Sequence, residues 1–237
     1  MPPESVQMLL PFPRAPNFDP RDFVPAASNQ AALAWLDVDW PDRRLALWGP
    51  GGSGKSHLLH VWAERVGARV LAGSSLRDLD GMPETGGLAL DDADTVVAEP
   101  LLLHLLNTAR DRGLCVLLSG HTAPSRWHVR LPDLSSRLRA ITAAEIRPPS
   151  DDLLAVLLAR LLADRQLSVA QPVQDWLLTQ IDRTPDALRQ AVARLDDLSL
   201  TAGKPITRSL AAKLIRSEEF SLLAGGVSGL SRGDPSS

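Results

Sequence analysis

Between an apolar run, Leu45-Ala46-Leu47-Trp48, and a stretch whose apolar residues Leu58, Leu59, Val61 and Trp62 recur at helical spacing, the chain reads Gly49-Pro50-Gly51-Gly52-Ser53-Gly54-Lys55-Ser56. A strand, a glycine-rich turn ending in Lys-Ser, and a helix together form a P-loop. The glycines let successive backbone N–H groups point at one anion, and the helix N-terminus adds a favourable dipole. The segment predicts a phosphate cradle made from Gly49, Gly51, Gly52, Ser53, Gly54, Lys55, Ser56 and the adjoining His57. Lys55 would reach the β and γ phosphates of ATP or ADP, and Ser56 would ligate Mg²⁺.

The rest of the chain supplies the layers such a loop needs. Buried-strand candidates follow at Val70 to Ala72, Leu88 to Leu90, Leu114 to Leu118 and Ile141 to Ile146, and helical stretches separate several of them. One of these, Leu101 to Arg112, is opened by Pro100 and stopped by Gly113, and Ser28 is the expected cap of a helix ahead of the first strand. The alternation predicts an α/β domain with a parallel sheet flanked by helices over residues 26–147. After Pro148-Pro149 only helical patterns remain, which predicts a small all-α lid over 148–222. Ser150 caps its first helix, a second covers Val173 to Ile181, Thr184-Pro185-Asp186 opens a third, and the last begins at Thr207. Seven prolines make residues 1–25 an extended arm, and residues 223–237, rich in Gly and Ser, form a flexible tail.

Charge balance bears on partners. Lys and Arg number 25 against 28 Asp and Glu, so no positive excess points to a nucleic-acid backbone, and no sequence-specific DNA binding is expected. No run of about 18 apolar residues argues for a membrane span. Cys115, the single cysteine, lies in an apolar run and fits a small core residue in a reducing, cytoplasmic setting.

A second chemical element is Leu88-Ala89-Leu90-Asp91-Asp92, an apolar strand ending in two carboxylates. Successive strand residues face opposite sides, so Asp91 can hold Mg²⁺ while Asp92 orients or polarises an attacking water. Taken alone, Asp91, Asp92 and Asp94 have a solvated acidic turn as their blander alternative.

From about residue 6 to residue 216 the chain resembles the AAA+ ATPases, and within them the DnaA/Hda clade of replication-initiation proteins. The fold this implies is an AAA+ P-loop NTPase with a five-stranded parallel sheet and a C-terminal all-α lid. The resemblance places Phe23 and Val24 at the adenine. Leu131-Pro132-Asp133-Leu134-Ser135-Ser136-Arg137-Leu138 is similar to the box that holds the clade's arginine finger, which maps onto Arg137 and would act in trans. Leu188-Arg189-Gln190 with Ala193-Arg194-Leu195-Asp196 is similar to the sensor 2 helix, with the sensor arginine at Arg189. A planar, permanently charged guanidinium suits the charge that spreads over phosphoryl oxygens. Without that context either arginine could be a surface salt-bridge partner.

The chain also departs from the clade's pattern. His121 stands where Asp is common in sensor 1. The stretch from Lys55 to Asp91 is short for the helical insertion of an initiator, and nothing after residue 222 reads as a helix-turn-helix. Gln7-Met8-Leu9-Leu10-Pro11-Phe12 resembles the clade's motif for the DNA polymerase III sliding clamp, with Gln7 as an amide anchor and Met8, Leu10, Pro11 and Phe12 as the apolar contacts. The resemblance implies an Hda-like negative regulator of replication initiation. It would bind ADP or ATP, dock on the clamp, and stimulate hydrolysis of DnaA-bound ATP, its own ATPase being weak or absent. A helicase-loader-type ATPase and a truncated DnaA-like initiator are the alternatives.

Overall fold

The structure, a computed structural model, describes residues 23–202 and 206–216. Five strands are arranged in the order β2-β3-β4-β1-β5: β1 Arg44–Trp48, β2 Arg69–Ala72, β3 Gly87–Asp91, β4 Cys115–Gly120 and β5 Thr142–Glu145. All four ladders are parallel, so every connection must cross back over the sheet, and helices make the return. This is the expected parallel α/β sheet.

Alternation along each strand divides the apolar residues between two cores. Leu45 and Leu47 of β1, Ala89 of β3 and Leu117 of β4 face α1 (Gln30–Leu36) and α2 (Lys55–Val66), where they meet Leu58, Leu59 and Trp62. Ala46, Leu88, Leu90, Val116 and Leu118 face the other way, against Leu102, Leu105 and Leu106 of α3 (Glu99–Asp111) and Leu134 and Leu138 of α4 (Pro132–Ala140). A sheet covered on both faces needs strands apolar on both sides, which is why β1, β3 and β4 read as continuous apolar runs. A separate core is closed by α5 (Asp151–Asp164), α6 (Gln171–Gln180), α7 (Pro185–Ala202) and α8 (Arg208–Arg216), around Leu158, Leu177, Val192 and Leu195.

Most helix ends follow the local signals. Ser150 Oγ accepts the Leu153 N–H at 3.3 Å, and Thr184 Oγ1 accepts that of Ala187 at 3.2 Å. The start of α1 differs from expectation: its N-cap is Asn29, not Ser28, and no side chain caps it. The Asn29 amide instead accepts from the Ala26 N–H and donates to the Val24 carbonyl, folding the lead-in that carries Phe23 and Val24. The second lid helix opens at Gln171 rather than Val173 because Pro172 lies in its first turn, where its missing N–H costs nothing.

Candidate functional site

The P-loop is strung between the ends of β4 and β5. The Gly49 N–H donates to the Gly120 carbonyl at 3.2 Å, and the Ile146 N–H donates to the Trp48 carbonyl at 2.7 Å. This leaves no room at Gly49, where a Cβ would lie 2.1 Å from the Ile146 carbonyl oxygen. Gly52 and Gly54 adopt φ of +70° and +99°, conformations that side chains rarely take. α2 starts directly after Gly54 without a side-chain cap, so its first N–H groups are left for an anion.

Lys55 is 5 % exposed, and its Nζ donates to the Gly49 and Pro50 carbonyls at 2.9 Å each. Burial pushes its pKa down, against the pull of Asp92, Asp91 and Asp94. Ser53 Oγ and Arg189 Nε are buried and without a hydrogen-bond partner. Such orphans are uncommon in native proteins, and here both belong to residues that line the cleft beside the loop.

The carboxylate strand comes to the loop by way of β4, which lies between β3 and β1. Asp91 Oδ1 accepts from Ser56 Oγ at 3.1 Å and also from Ser119 Oγ. Ser119 Oγ in turn accepts the Asp92 N–H at 2.8 Å. Ser56 and Asp91 thus share the spot where Mg²⁺ would sit, and the buried Ser119 holds both acids in place. Sequence reasoning assigned no role to Ser119, although a polar residue ending an apolar strand was the available sign. Asp92 sits in the left-handed region (φ 49°, ψ 49°), and burial first, then Asp91 and Asp94, raises its pKa against His121 and Lys55. His121 bonds to Asp94 Oδ2 through its backbone N–H at 2.7 Å and meets it through Nδ1 at 3.1 Å. The imidazole at the sensor 1 position therefore pairs with a neighbouring acid.

Across the loop, Phe23 and His57 lie with ring centroids 5.5 Å apart. Arg189, from the third lid helix, brings Nη2 within 3.3 Å of His57 Nδ1 and pairs with Asp186 at 2.8 Å. Thr184 presses its methyl on the loop, 2.5 Å from where a Gly52 Cβ would stand. The cleft enclosed by Phe23, Val24, Ser53, Gly54, His57 and Arg189 measures about 30 Å³. The residues expected at the nucleotide are thus brought together.

Arg137 stands apart from them. It lies in the last turn of α4 and pairs with Asp133: Nη2 donates to Oδ2 at 3.5 Å, and Nε, 3.3 Å from Oδ1, makes no hydrogen bond. It lines a cavity with Arg44, the first residue of β1, whereas the P-loop follows the last. The clamp-motif residues Gln7, Met8, Leu10, Pro11 and Phe12 lie outside the described residues.

No family model matches the chain. A Haemophilus influenzae protein described as uncharacterized is 27 % identical over 184 residues, 71 % of this chain and 80 % of that one. Domain III of the Thermotoga maritima replication initiation protein DnaA superposes with a TM-score of 0.69 at 19 % identity, over 86 % of this chain and 97 % of that one. AMPPCP-bound DnaA from Aquifex aeolicus gives 0.64 at 16 % identity, over 85 % and 69 %. The fold is that of the DnaA AAA+ domain. No helix among the described residues is long and apolar enough to cross a membrane.

Proposed function

We propose that the chain is an Hda-like regulator of replication initiation, which binds ADP or ATP, docks on the DNA polymerase III sliding clamp through Gln7 to Phe12, and offers Arg137 to the ATP held by DnaA. The observation that carries this reading is the distance between Arg137 and the chain's own phosphate loop. They lie at opposite ends of β1, roughly 13 Å of strand apart at about 3.3 Å per residue. A guanidinium at that end of the strand faces away from the chain's own phosphate loop, which supports a role toward a neighbour's phosphate.

In this reading the chain's own nucleotide sets the position of the lid. The loop N–H groups and Lys55 hold the phosphates, with Lys55 exchanging two carbonyl partners for them. Ser56 and Asp91 hold Mg²⁺, which supplies charge neutralisation between the phosphates. Arg189 links the lid to the nucleotide. Arg137 stabilises charge on the transferred phosphoryl group of the partner, an effect worth on the order of 10³ to 10⁵ in rate in other NTPases.

The test is ATP hydrolysis by DnaA with DNA-loaded clamp, adding the intact protein, Arg137→Ala, or Gln7→Ala with Leu10→Ala. Stimulation by the intact protein and its loss in both variants is expected. No stimulation, or variants equal to the intact protein, overturns the reading. The complete Lys55, Asp91 and Asp92 set favours one other reading, an energy-consuming ATPase of the helicase-loader kind. Steady turnover abolished by Asp92→Asn and raised by single-stranded DNA would mark it.

A further inference from the structure

The end of β1 remote from the P-loop gathers an excess of positive charge. A cavity of about 580 Å³ is lined there by Arg43, Arg44, Arg110 and Arg137, with Asp42 and Asp133 as the facing carboxylates. Four guanidiniums line it with two acids, and Arg110 also pairs with Asp111 at 3.5 Å, which leaves one more cation than acid. Arg110 lies in the last turn of α3 and Arg137 in the last turn of α4, where a positive residue complements the helix dipole. That accounts for those two, but not for a pair of arginines from β1 and its lead-in.

Arg44 is 8 % exposed and donates one Nη to the Leu106 carbonyl at 3.1 Å. Its pKa is lowered by burial first and then by the charges of Arg110 and Arg137, with Asp42 opposing, so the fold leaves like charges crowded together. Arg43 is anchored on the Gly113 carbonyl, and it and Asp42 both take left-handed backbone, at φ 55° and 50°. Two consecutive non-glycine residues in that region are uncommon, and they bring Arg43 to the cavity wall. Arg137 Nε is buried with no hydrogen bond made.

We propose that this pocket is a second anion site, which takes the phosphate chain of a polyphosphate between the guanidiniums of Arg43, Arg44, Arg110 and Arg137. Guanidiniums are planar donors that match phosphate oxygens bidentately, and an anion among the four would offset their mutual repulsion. The phosphate chain has two sources: the nucleotide of a partner subunit or a free polyphosphate. The first rests on the reading of Arg137 as a trans finger, which it extends from one arginine to four. The pocket itself does not depend on it.

The experiment titrates inorganic tripolyphosphate into the full chain carrying Lys55→Ala, which weakens the P-loop so that the arginine pocket is read, at physiological salt, with unfolding midpoints of all variants as a fold control. One saturable site is expected, weakened about tenfold or more by adding Arg110→Ala or Arg43→Ala and unchanged by Arg65→Ala, which alters an exposed arginine paired with Asp37. Absence of saturable binding, or equal weakening by Arg65→Ala, overturns the proposal. A second arm adds Arg110→Ala, with Lys55 and Arg137 intact, to the DnaA hydrolysis assay. Reduced stimulation identifies the partner's nucleotide as the source, and full stimulation alongside lost tripolyphosphate binding identifies a free polyphosphate. If even the intact protein gives no stimulation, the trans reading fails, while the first arm still decides the pocket.

Discussion

At the Trp48 end of β1 the positive potential comes chiefly from backbone N–H groups held in a glycine loop. At the Arg44 end it comes from four side chains drawn from three parts of the chain. The two ends solve the same problem, holding an anion, by different means. A backbone cradle is rigid and contiguous in sequence. A side-chain cradle is adjustable, and only the topology assembles it. The first suits a ligand that is always the same, and the second suits one presented by another molecule at an imposed angle.

If the rigid end depends on close backbone packing, Gly49→Ala should be the most damaging small change. Its Cβ would stand 2.1 Å from the Ile146 carbonyl oxygen at a φ of +156°, so the backbone just past β5 must move. A loss of about 3 kcal/mol in urea unfolding is expected from overpacking and strain together. An unchanged midpoint would show that the loop is looser than drawn here. Lys55→Ala should follow, weakening ADP about thirty- to hundredfold, the worth of a charge-assisted contact of about 2–3 kcal/mol, as measured by calorimetry. The comparison sharpens if tripolyphosphate binding at the other end survives that change.

Smaller effects probe how the arginine end is supported. Glu99 opens α3 and accepts the backbone N–H groups of Arg130 and Leu131 at 2.8–2.9 Å, just ahead of α4. It thus ties together the two helices whose far ends carry Arg110 and Arg137. These bonds lower its pKa, so its contribution is full at neutral pH and lost as pH falls through its folded-state value, below the ordinary 4.5. Glu99→Gln should lower tripolyphosphate affinity a few-fold, and its stability deficit should shrink in acid. A deficit independent of pH breaks that account. Smallest is Asp92→Asn. The raised pKa of Asp92 means that its charge costs nothing below the unfolded value of 3.8, costs progressively more as pH rises from there, and costs fully above the folded-state value. Asn keeps the left-handed backbone and sheds the repulsion, so a slight rise in Tm at pH 7, absent in acid, is expected. A fall in Tm would show that the carboxylate holds the turn.

The same contrast explains what could be read in advance. The P-loop, the Asp91-Asp92 strand end and the helix starts at Ser150 and Thr184 are local patterns, in which the residues that define the feature are also the ones that form it. Ser28 was expected to cap α1 where Asn29 stands, because the partners of Asn29, Ala26 and Val24, belong to a loop without periodicity. Ser119 escaped because its role exists only once β4 lies beside β3, with Leu118 opposite Leu90 and the next residues being Ser119 and Asp91. The arginine pocket was illegible for the same reason. Nothing near Arg43 announces Arg110, and the 2.0-residue period of β1 hides Arg44 as a strand end.

The narrow cleft beside Gly52 has a consequence for timing. Small-molecule sites run to roughly 300–1,000 Å³, whereas the space between Phe23, His57 and Arg189 is about 30 Å³, with Thr184 seated on the loop. For a purine to pass, the helical unit that carries Thr184 and Arg189 would have to swing away from the loop, and the frequency of that opening, not the nucleotide concentration outside, would limit exchange. A protein built this way would keep a bound nucleotide through brief swings in the surrounding pool. It would report the history of that pool, not its momentary level.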